Sequence, residues 1–354
     1  MVKGAAESVE RAVRQIQEGG LVVVVDDEGR ENEGDLVCAA VHATPETINF
    51  MAREARGLIC APMLSERLDT LGIPPMSRRN RDPHGTAFSV SVDAVEGITT
   101  GISAKERSRT ILKLIDPSAT PNDLRQPGHV FPLRSHDGGV LARAGHTEAT
   151  IDLCALAGLP QAGVICEILQ EDGEMMRMSL LMEFAARHEL PLLTIADLID
   201  HLLETRPTVS LSHKAILKGS NTKILLFEGT STGLSHIAFV VGSPQPDKPC
   251  LVRVHSEKAD RRVPSEADTR LQKALSKLEA EGEGVLVLLK VPAQGNAPSW
   301  PAETPMDFRS YGVGAQILRA CGVGRMRVIT NNVRNIIALE GFGLEIVETL
   351  PLDP

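Results

Sequence analysis

Five consecutive aliphatic residues, Leu21 to Val25, stand between a double glycine and an acidic run, and four of the five are β-branched. That pattern reads as a strand buried on both faces, so the polar residues after it lie where the strand leaves its sheet. Before it, Val9, Ala12, Val13 and Ile16 recur at helical spacing over residues 7–18, and Gly19-Gly20 ends that helix. A second apolar stretch, Leu36 to Val41, predicts a strand on the far side of the acidic run. Thr44-Pro45 opens a helix to about Ala55, and Leu58 to Ala61 reads as a short strand. Residues 74–85 are polar, basic and bounded by prolines, as a mobile loop is. Phe88 to Val95 alternates like a half-exposed strand, and a helix follows the hydroxyl-rich turn 97–103 as far as Ile115. Alternation of helix and strand continues to Cys166-Glu167, and 179–204 reads as helical with a break at Pro191. Residues 1–204 therefore form one α/β domain.

The pattern changes over residues 205–221, which we read as a linker, and a strand-rich second domain occupies 222–354. Its strands are expected at 223–227, 236–241, 251–255, 285–289 and 326–330, and its helices at 266–281, 311–321 and 335–341. Hydrophobic residues make up 42% and charged residues 23% of the 354, the balance of a globular chain long enough for two cores. A net charge of −9 argues against nucleic-acid binding, which needs a basic field, but leaves room for a small anion in a local basic pocket. No apolar run approaches the roughly 20 residues of a membrane helix, and the first 20 residues carry Glu7, Glu10, Arg11 and Arg14 in place of a leader's apolar core. The six cysteines are scattered, with no pair at metal-ligand spacing. These features predict a cytoplasmic protein with reduced thiols that neither binds a membrane nor nucleic acid.

Candidate chemistry begins in the acidic run. Asp26, Asp27, Glu28, Glu31, Glu33 and Asp35 place six carboxylates within ten residues, with Gly29 and Gly34 between them. Such a run is either a solvated loop or one half of a hard-cation site in which a metal offsets the repulsion. A magnesium site takes only one or two protein ligands, so one of these carboxylates with a distant histidine suffices. His129 and His146 both sit in turn-like sequence, where a histidine is ordinarily a surface residue. His146, however, lies in Arg143-Ala144-Gly145-His146-Thr147, which offers a forked cation, a close backbone approach and a hydroxyl to a phosphate. The hydroxyls Thr99, Thr100 and Ser103 either hold a phosphate at a helix start or cap that helix.

Three motifs carry a resemblance. Arg30-Glu31-Asn32-Glu33-Gly34-Asp35, Pro127-Gly128-His129-Val130-Phe131-Pro132-Leu133-Arg134 and Gly145 to Leu153 resemble, in order, those of 3,4-dihydroxy-2-butanone 4-phosphate synthase, over nearly all of residues 6–204. The resemblance implies a three-layer α/β domain that converts D-ribulose 5-phosphate to that four-carbon phosphate and formate, with magnesium or manganese, two ions per active site. It further implies that Glu31 and His146 bind metal and that Asp35 touches the sugar hydroxyls. Arg30, Arg143, Ala144, Gly145 and Thr147 would bind substrate around the phosphate, and His129 and Glu167 would be the further catalytic groups. Homodimers with shared active sites are implied as well. One departure stands in the mobile loop: where the family has a tyrosine before Gly-Thr-Gly, this chain has His84-Gly85-Thr86-Ala87. Cys60 falls near the substrate by resemblance, against the commoner role of a packed core thiol.

Residues 222–354 resemble GTP cyclohydrolase II through Arg253-Val254-His255-Ser256-Glu257, Tyr311 to Leu318 and Thr330-Asn331-Asn332. That family holds catalytic zinc on three cysteines, the first directly after His-Ser-Glu. Here Lys258 takes that place, and no cysteine occurs between it and Arg270. The family's phosphate-binding Glu-Gly-Arg-Gly-Ile-Gly-Leu segment is replaced by Lys290-Val291-Pro292-Ala293-Gln294-Gly295-Asn296, while Asp307 and Arg309 remain. A smaller α/β domain without zinc or cyclohydrolase activity is expected, serving as a structural, dimerising or regulatory module. The alternative is a bifunctional enzyme that also opens the GTP ring, or a residual nucleotide site at Thr330 to Asn332.

Overall fold

A computed structural model describes residues 2–217, 219–230, 233–258, 266–291, 308–330 and 342–352, with side chains for all of these except 2–5, 257–258, 266–269, 291 and 308–311. The chain divides into two compact units, Met1–His201 and Leu202–Pro354.

In chain order the first unit contains α1 (Val2–Gln17), β1 (Val22–Val25), β2 (Gly34–Ala39), α2 (Pro45–Phe50), β3 (Cys60–Leu64), α3 (Ser65–Thr70), β4 (Val92–Ala94) and α4 (Ala104–Ile115). It continues with β5 (Leu124–Ser135), α5 (His146–Leu156), β6 (Gly163–Glu167), α6 (Met178–Arg187), β7 (Leu192–Thr194) and α7 (Ile195–Thr205), whose last residues belong to the second unit. The stretch 179–204 is thus two helices with the short strand β7 between them, because Pro191 breaks the helix and the apolar pair after it joins the sheet parallel to β1. Phe88 to Val95 narrows to β4: Phe88 and Ser89 make only single bridges, to Leu133 and Pro75.

The seven strands run β4-β5-β3-β6-β2-β1-β7. Every residue of β1 and β2 is buried, as the unbroken aliphatic run requires. One face of the sheet, including Val23, Val25, Leu36, Cys38, Val164 and Cys166, packs against Ile48, Met51, Ile111, Leu114, Leu181 and Phe184 from α2 and its continuation, α4 and α6. Against the other face lies α5, packed on β2, β3, β5, β6 and α1 and buried on nearly all sides. The result is a three-layer α/β unit. Side chains alternate across a strand, so Val24, Asp35 and Glu167 point to the α5 side.

The second unit carries β8 (Val209–Ile216), β9 (Thr222–Gly229), β10 (Ser235–Val241), β11 (Pro249–Lys258), α8 (Glu266–Glu281), β12 (Gly284–Val291), α9 (Phe308–Ala320), β13 (Arg325–Ile329) and β14 (Glu345–Leu350), with strand order β14-β13-β11-β12-β10-β9-β8. The stretch read as a linker carries β8, which pairs antiparallel with β9 along the sheet's edge. Its side chains are mostly exposed, and the alternation of Val209-Ser210-Leu211-Ser212 is broken at His213-Lys214, too short a run to mark a half-buried strand. The helix expected at 335–341 lies outside the described residues.

Candidate active site

The acidic loop is built around Asp26. Its carboxylate accepts the backbone N–H groups of Glu31 at 3.1 Å and Glu33 at 2.8 Å, and Nη1 of Arg30 at 2.8 Å. Asn32 sits at φ 56°, a left-handed conformation that asparagine tolerates. Arg177, just ahead of α6, donates Nη1 to the carbonyl oxygens of Glu31 and Asn32, the first at 2.9 Å. The loop so pinned turns Glu31 toward α5. There Oε2 of Glu31 lies 3.9 Å from Nδ1 of His146 and is also bonded by Arg30.

His146 is buried, and burial pushes its pKa down, so the imidazole is neutral. Its Nε2 stands 3.2 Å from the carbonyl of Val24 and donates to it, which leaves the Nδ1 lone pair facing Glu31. A ring nitrogen held by a backbone carbonyl while its partner is free is the arrangement of a metal-ligating histidine. Potential ligand atoms of Asp26, Glu31 and His146 all lie within 4.8 Å of one another, the one such cluster of three among the described residues. The set of hard oxygens and one imidazole fits a magnesium or manganese ion. Asp26 already accepts three donors, so Glu31 and His146 have the greater lone-pair capacity left for a cation.

Asp35 and Glu167 are direct cross-strand partners on β2 and β6. Burial, and then the charges of Glu167, Glu31 and Glu33, hold Asp35 well above the usual carboxylate range. Glu167 accepts the N–H of Leu58 at 2.8 Å, and Gly57 packs so close that a Cβ there would lie 2.7 Å from Glu167 Oε2. A carboxyl whose neutral form burial favours therefore stands beside a second carboxyl that already accepts a backbone N–H, on the same wall. Cys60 is buried, and burial together with Glu167 and Asp35 pushes its thiol up, so it is a packing residue without thiolate character.

At the start of α5, Gly145 is the cap residue, and a Cβ on it would lie 2.5 Å from Arg143 Nη1 and 3.1 Å from Arg30 Nη2. Two guanidinium groups therefore flank a helix N-terminus whose first turn carries buried His146 and Thr147, a setting that attracts an anion. Arg143 is itself held by Glu148 at 2.6 Å, a pair buried on both sides. Its Nε and Nη2 donate to the carbonyl of His84 at 3.2 and 3.1 Å, and Nη2 to Thr86 Oγ1 at 3.2 Å. The departure at His84 thus falls where the loop docks on the candidate phosphate arginine.

The turn at 97–103 resolves to a cap. Ser103 caps α4, and the Glu106 carboxylate takes Thr99 Oγ1 at 2.7 Å, the Gly101 N–H at 3.1 Å and Ser103 Oγ at 3.0 Å, along with the Thr99 N–H. These bonds, those from Thr99 foremost, hold Glu106 down at about 2, so the chain's own carboxylate occupies the donors that a phosphate would need. His129 does not join the Glu31–His146 cluster by any hydrogen bond; its partner is Asp93, whose Oδ2 lies 2.7 Å from Nδ1. Sequence reasoning passed over Asp93. The available signal was an acidic residue between Val92 and Ala94 in an apolar strand.

In the second unit, Cys250 opens β11 and Cys321 follows α9; both are buried, and burial pushes each thiol up to about 12. Neither stands beside Lys258 at the far end of β11. Asp307, the side chain of Arg309, and Asn331 and Asn332 lie outside the described residues. No helix among the described residues is long and apolar enough to cross a membrane.

Residues 10–201 match the family model of 3,4-dihydroxy-2-butanone 4-phosphate synthase, and residues 212–351 that of GTP cyclohydrolase II. The riboflavin biosynthesis protein RibBA of Aquifex aeolicus is 47% identical over 373 residues, covering 98% of this chain and 92% of its own. Among solved structures, RibBX of A. baumannii, described as a two-domain 3,4-dihydroxy-2-butanone 4-phosphate synthase, is 40% identical with a TM-score of 0.65, covering 97% of this chain and 99% of its own. A 3,4-dihydroxy-2-butanone 4-phosphate synthase solved with two magnesium ions is 45% identical with a TM-score of 0.54, covering 56% of this chain and 98% of its own. The chain belongs to the 3,4-dihydroxy-2-butanone 4-phosphate synthase family. It is an enzyme of riboflavin biosynthesis, a lyase in its first domain, followed by a domain of GTP cyclohydrolase II kind.

Proposed function

We propose that the first domain converts D-ribulose 5-phosphate to 3,4-dihydroxy-2-butanone 4-phosphate and formate on the constellation just described, and that the second domain has lost GTP ring opening. The observation that carries the first reading is the pair formed by Glu31 and His146, from chain positions over a hundred residues apart, with the histidine's tautomer set by Val24. Glu31 and His146 would hold magnesium or manganese, two ions in our reading, and the metal would supply positive charge to the vicinal sugar oxygens.

The chain's own groups do the rest. Arg143, Arg30, Thr147 and the N–H groups beginning α5 hold the phosphate, with Ala144 and Gly145 giving the close backbone approach. Asp35, protonated, donates to a sugar hydroxyl, and Glu167 takes and returns protons on the same wall. His129 is the further acid–base group. Atoms balance without a co-reactant: water lost after enolisation is regained when C4 leaves as formate. Segment 74–86, docked on Arg143, covers the reacting carbons against solvent.

Family homodimers with shared sites extend to this chain in our reading: mixed dimers of E31Q and H129A chains should recover part of the activity that each homodimer lacks. Cytoplasmic residence fits six buried free cysteines. The deciding experiment measures formate from ribulose 5-phosphate with and without magnesium. Metal-dependent formate is expected, falling at least 100-fold in E31Q; metal-independent formate, or full activity in E31Q or H146A, overturns the site.

A further inference from the structure

The structure places a buried carboxylate behind His129 and builds a bulge to bring the two together. In the β4–β5 ladder Asp93 pairs with Arg125, but its neighbour Val92 pairs with Val130, so residues 126–129 loop out of the ladder. Bulges of this kind re-aim a side chain. Gly128 at the bulge lies against the backbone of Val92 and Asp93, where any Cβ would overlap main-chain atoms. The approach lets one carboxylate serve His129 twice: Asp93 Oδ1 accepts its backbone N–H at 2.9 Å, and Oδ2 stands 2.7 Å from its Nδ1. On the other side Gly101, at φ 94°, packs so closely that a methyl would overlap Asp93 Oδ2 and lie 2.5 Å from His129 Nδ1.

We infer that Asp93 is a positioning residue, one that fixes the imidazole of His129 with the proton on Nδ1 and the lone pair on Nε2. The side chain of Asp93 is 10% exposed and that of His129 41%, so the carboxylate is sheltered while the ring stays open to a reacting molecule. A carboxylate offers only acceptors; the proton between the pair therefore sits on Nδ1, and the open nitrogen is the basic one. The role rests on the reading of His129 as an acid–base group in the reaction. It accounts for the Pro127-Gly128-His129 sequence as a device for aiming one ring.

Asp93→Asn tests this without removing a side chain. The backbone N–H of His129 continues to need an acceptor, so the amide oxygen faces it and the NH2 group faces Nδ1. That forces the proton to Nε2. Diethyl pyrocarbonate modifies the unprotonated nitrogen of imidazole, and peptide mass spectrometry separates the ten histidines, the other nine serving as controls. In the full-length protein the rate at His129 is expected to fall at least fivefold in D93N, with kcat down about 100-fold and KM within threefold. Gly101→Ala, which drives a methyl between two unchanged partners, should lower kcat in the same way. An unchanged modification rate in D93N, with turnover lost in H129A, overturns the orientation and leaves the catalytic reading standing. Wild-type turnover in H129A overturns the catalytic reading instead, and the modification rates then decide the orientation alone.

Discussion

Asp26, Glu31 and Asp35 come from one ten-residue run, the first two before β2 and the third on it, and differ in what each carboxylate already accepts. Asp26 is filled by two backbone N–H groups and Arg30, so it shapes the loop. Glu31 keeps capacity for a cation. Asp35 is buried among other acids and held far above its ordinary range. A carboxyl whose folded pKa is raised favours folding below its unfolded pKa, and that advantage is lost as pH rises toward the folded value. At pH 8 Asp35 therefore works against the fold. Asp35→Asn should stabilise the metal-free protein at pH 8 by on the order of 1 kcal/mol, with the gap closing toward pH 4, while abolishing formate release; urea unfolding at both pH values checks it. Six carboxylates marked the loop in the sequence. Which of them was free depended on backbone N–H groups that only the folded loop aims.

Helix α5 concentrates most of the remaining chemistry at one end. Its sequence, His-Thr-Glu-Ala-Thr-Ile-Asp-Leu, has no strong apolar stripe, because the helix is buried on nearly all sides and its polar residues are spoken for. Glu148 holds Arg143 and accepts the His136 N–H at 2.9 Å, and Asp152 accepts the Val140 N–H at 2.7 Å. Both residues brace the turn that delivers the arginine. Glu148→Gln leaves a buried guanidinium short of its counter-charge, so unfolding should become easier by about 3 kcal/mol, with a raised KM for ribulose 5-phosphate; denaturant titration and steady-state kinetics measure the two. The motif was legible as a resemblance. That Glu148 and Asp152 serve as braces was not, since their partners come from residues 136–143 packed across the turn. The hydroxyl-rich turn at 97–103 shows the converse: its donors suit either a cap or an anion, and Glu106, one helical turn on, takes them by folding back.

At the scale of the whole chain, two seven-stranded sheets have different relations to their sequences. In the first, buried aliphatic strands and capped helices are written in periodicity, so most elements are expected where they stand. In the second, β8 is mostly exposed and its sequence reads as linker, because an edge strand needs hydrogen-bond partners more than an apolar pattern. An interior strand, β11, keeps the Arg-Val-His-Ser sequence but has Lys258 where a zinc thiolate is needed. We expect elemental analysis to find zinc well below one atom per chain, and GTP with added zinc to yield no formate; stoichiometric zinc with formate from GTP would restore the bifunctional reading.

By itself the sequence determined the α/β class, the acidic loop, the basic turn before α5 and the missing cysteines of the second domain, because each is a local property of composition and spacing. Tertiary structure alone decided the pairings: His146 with Glu31, Asp35 with Glu167, Arg143 with the His84 carbonyl, and Asp93 with His129. Each joins strands or loops that are distant in the chain and depends on their register, and the pairs of Glu167 and His129 depend also on the space that Gly57, Gly101 and Gly128 leave open. Hydrogen bonding and burial, which choose among identical carboxylates, exist only after the sheet has closed.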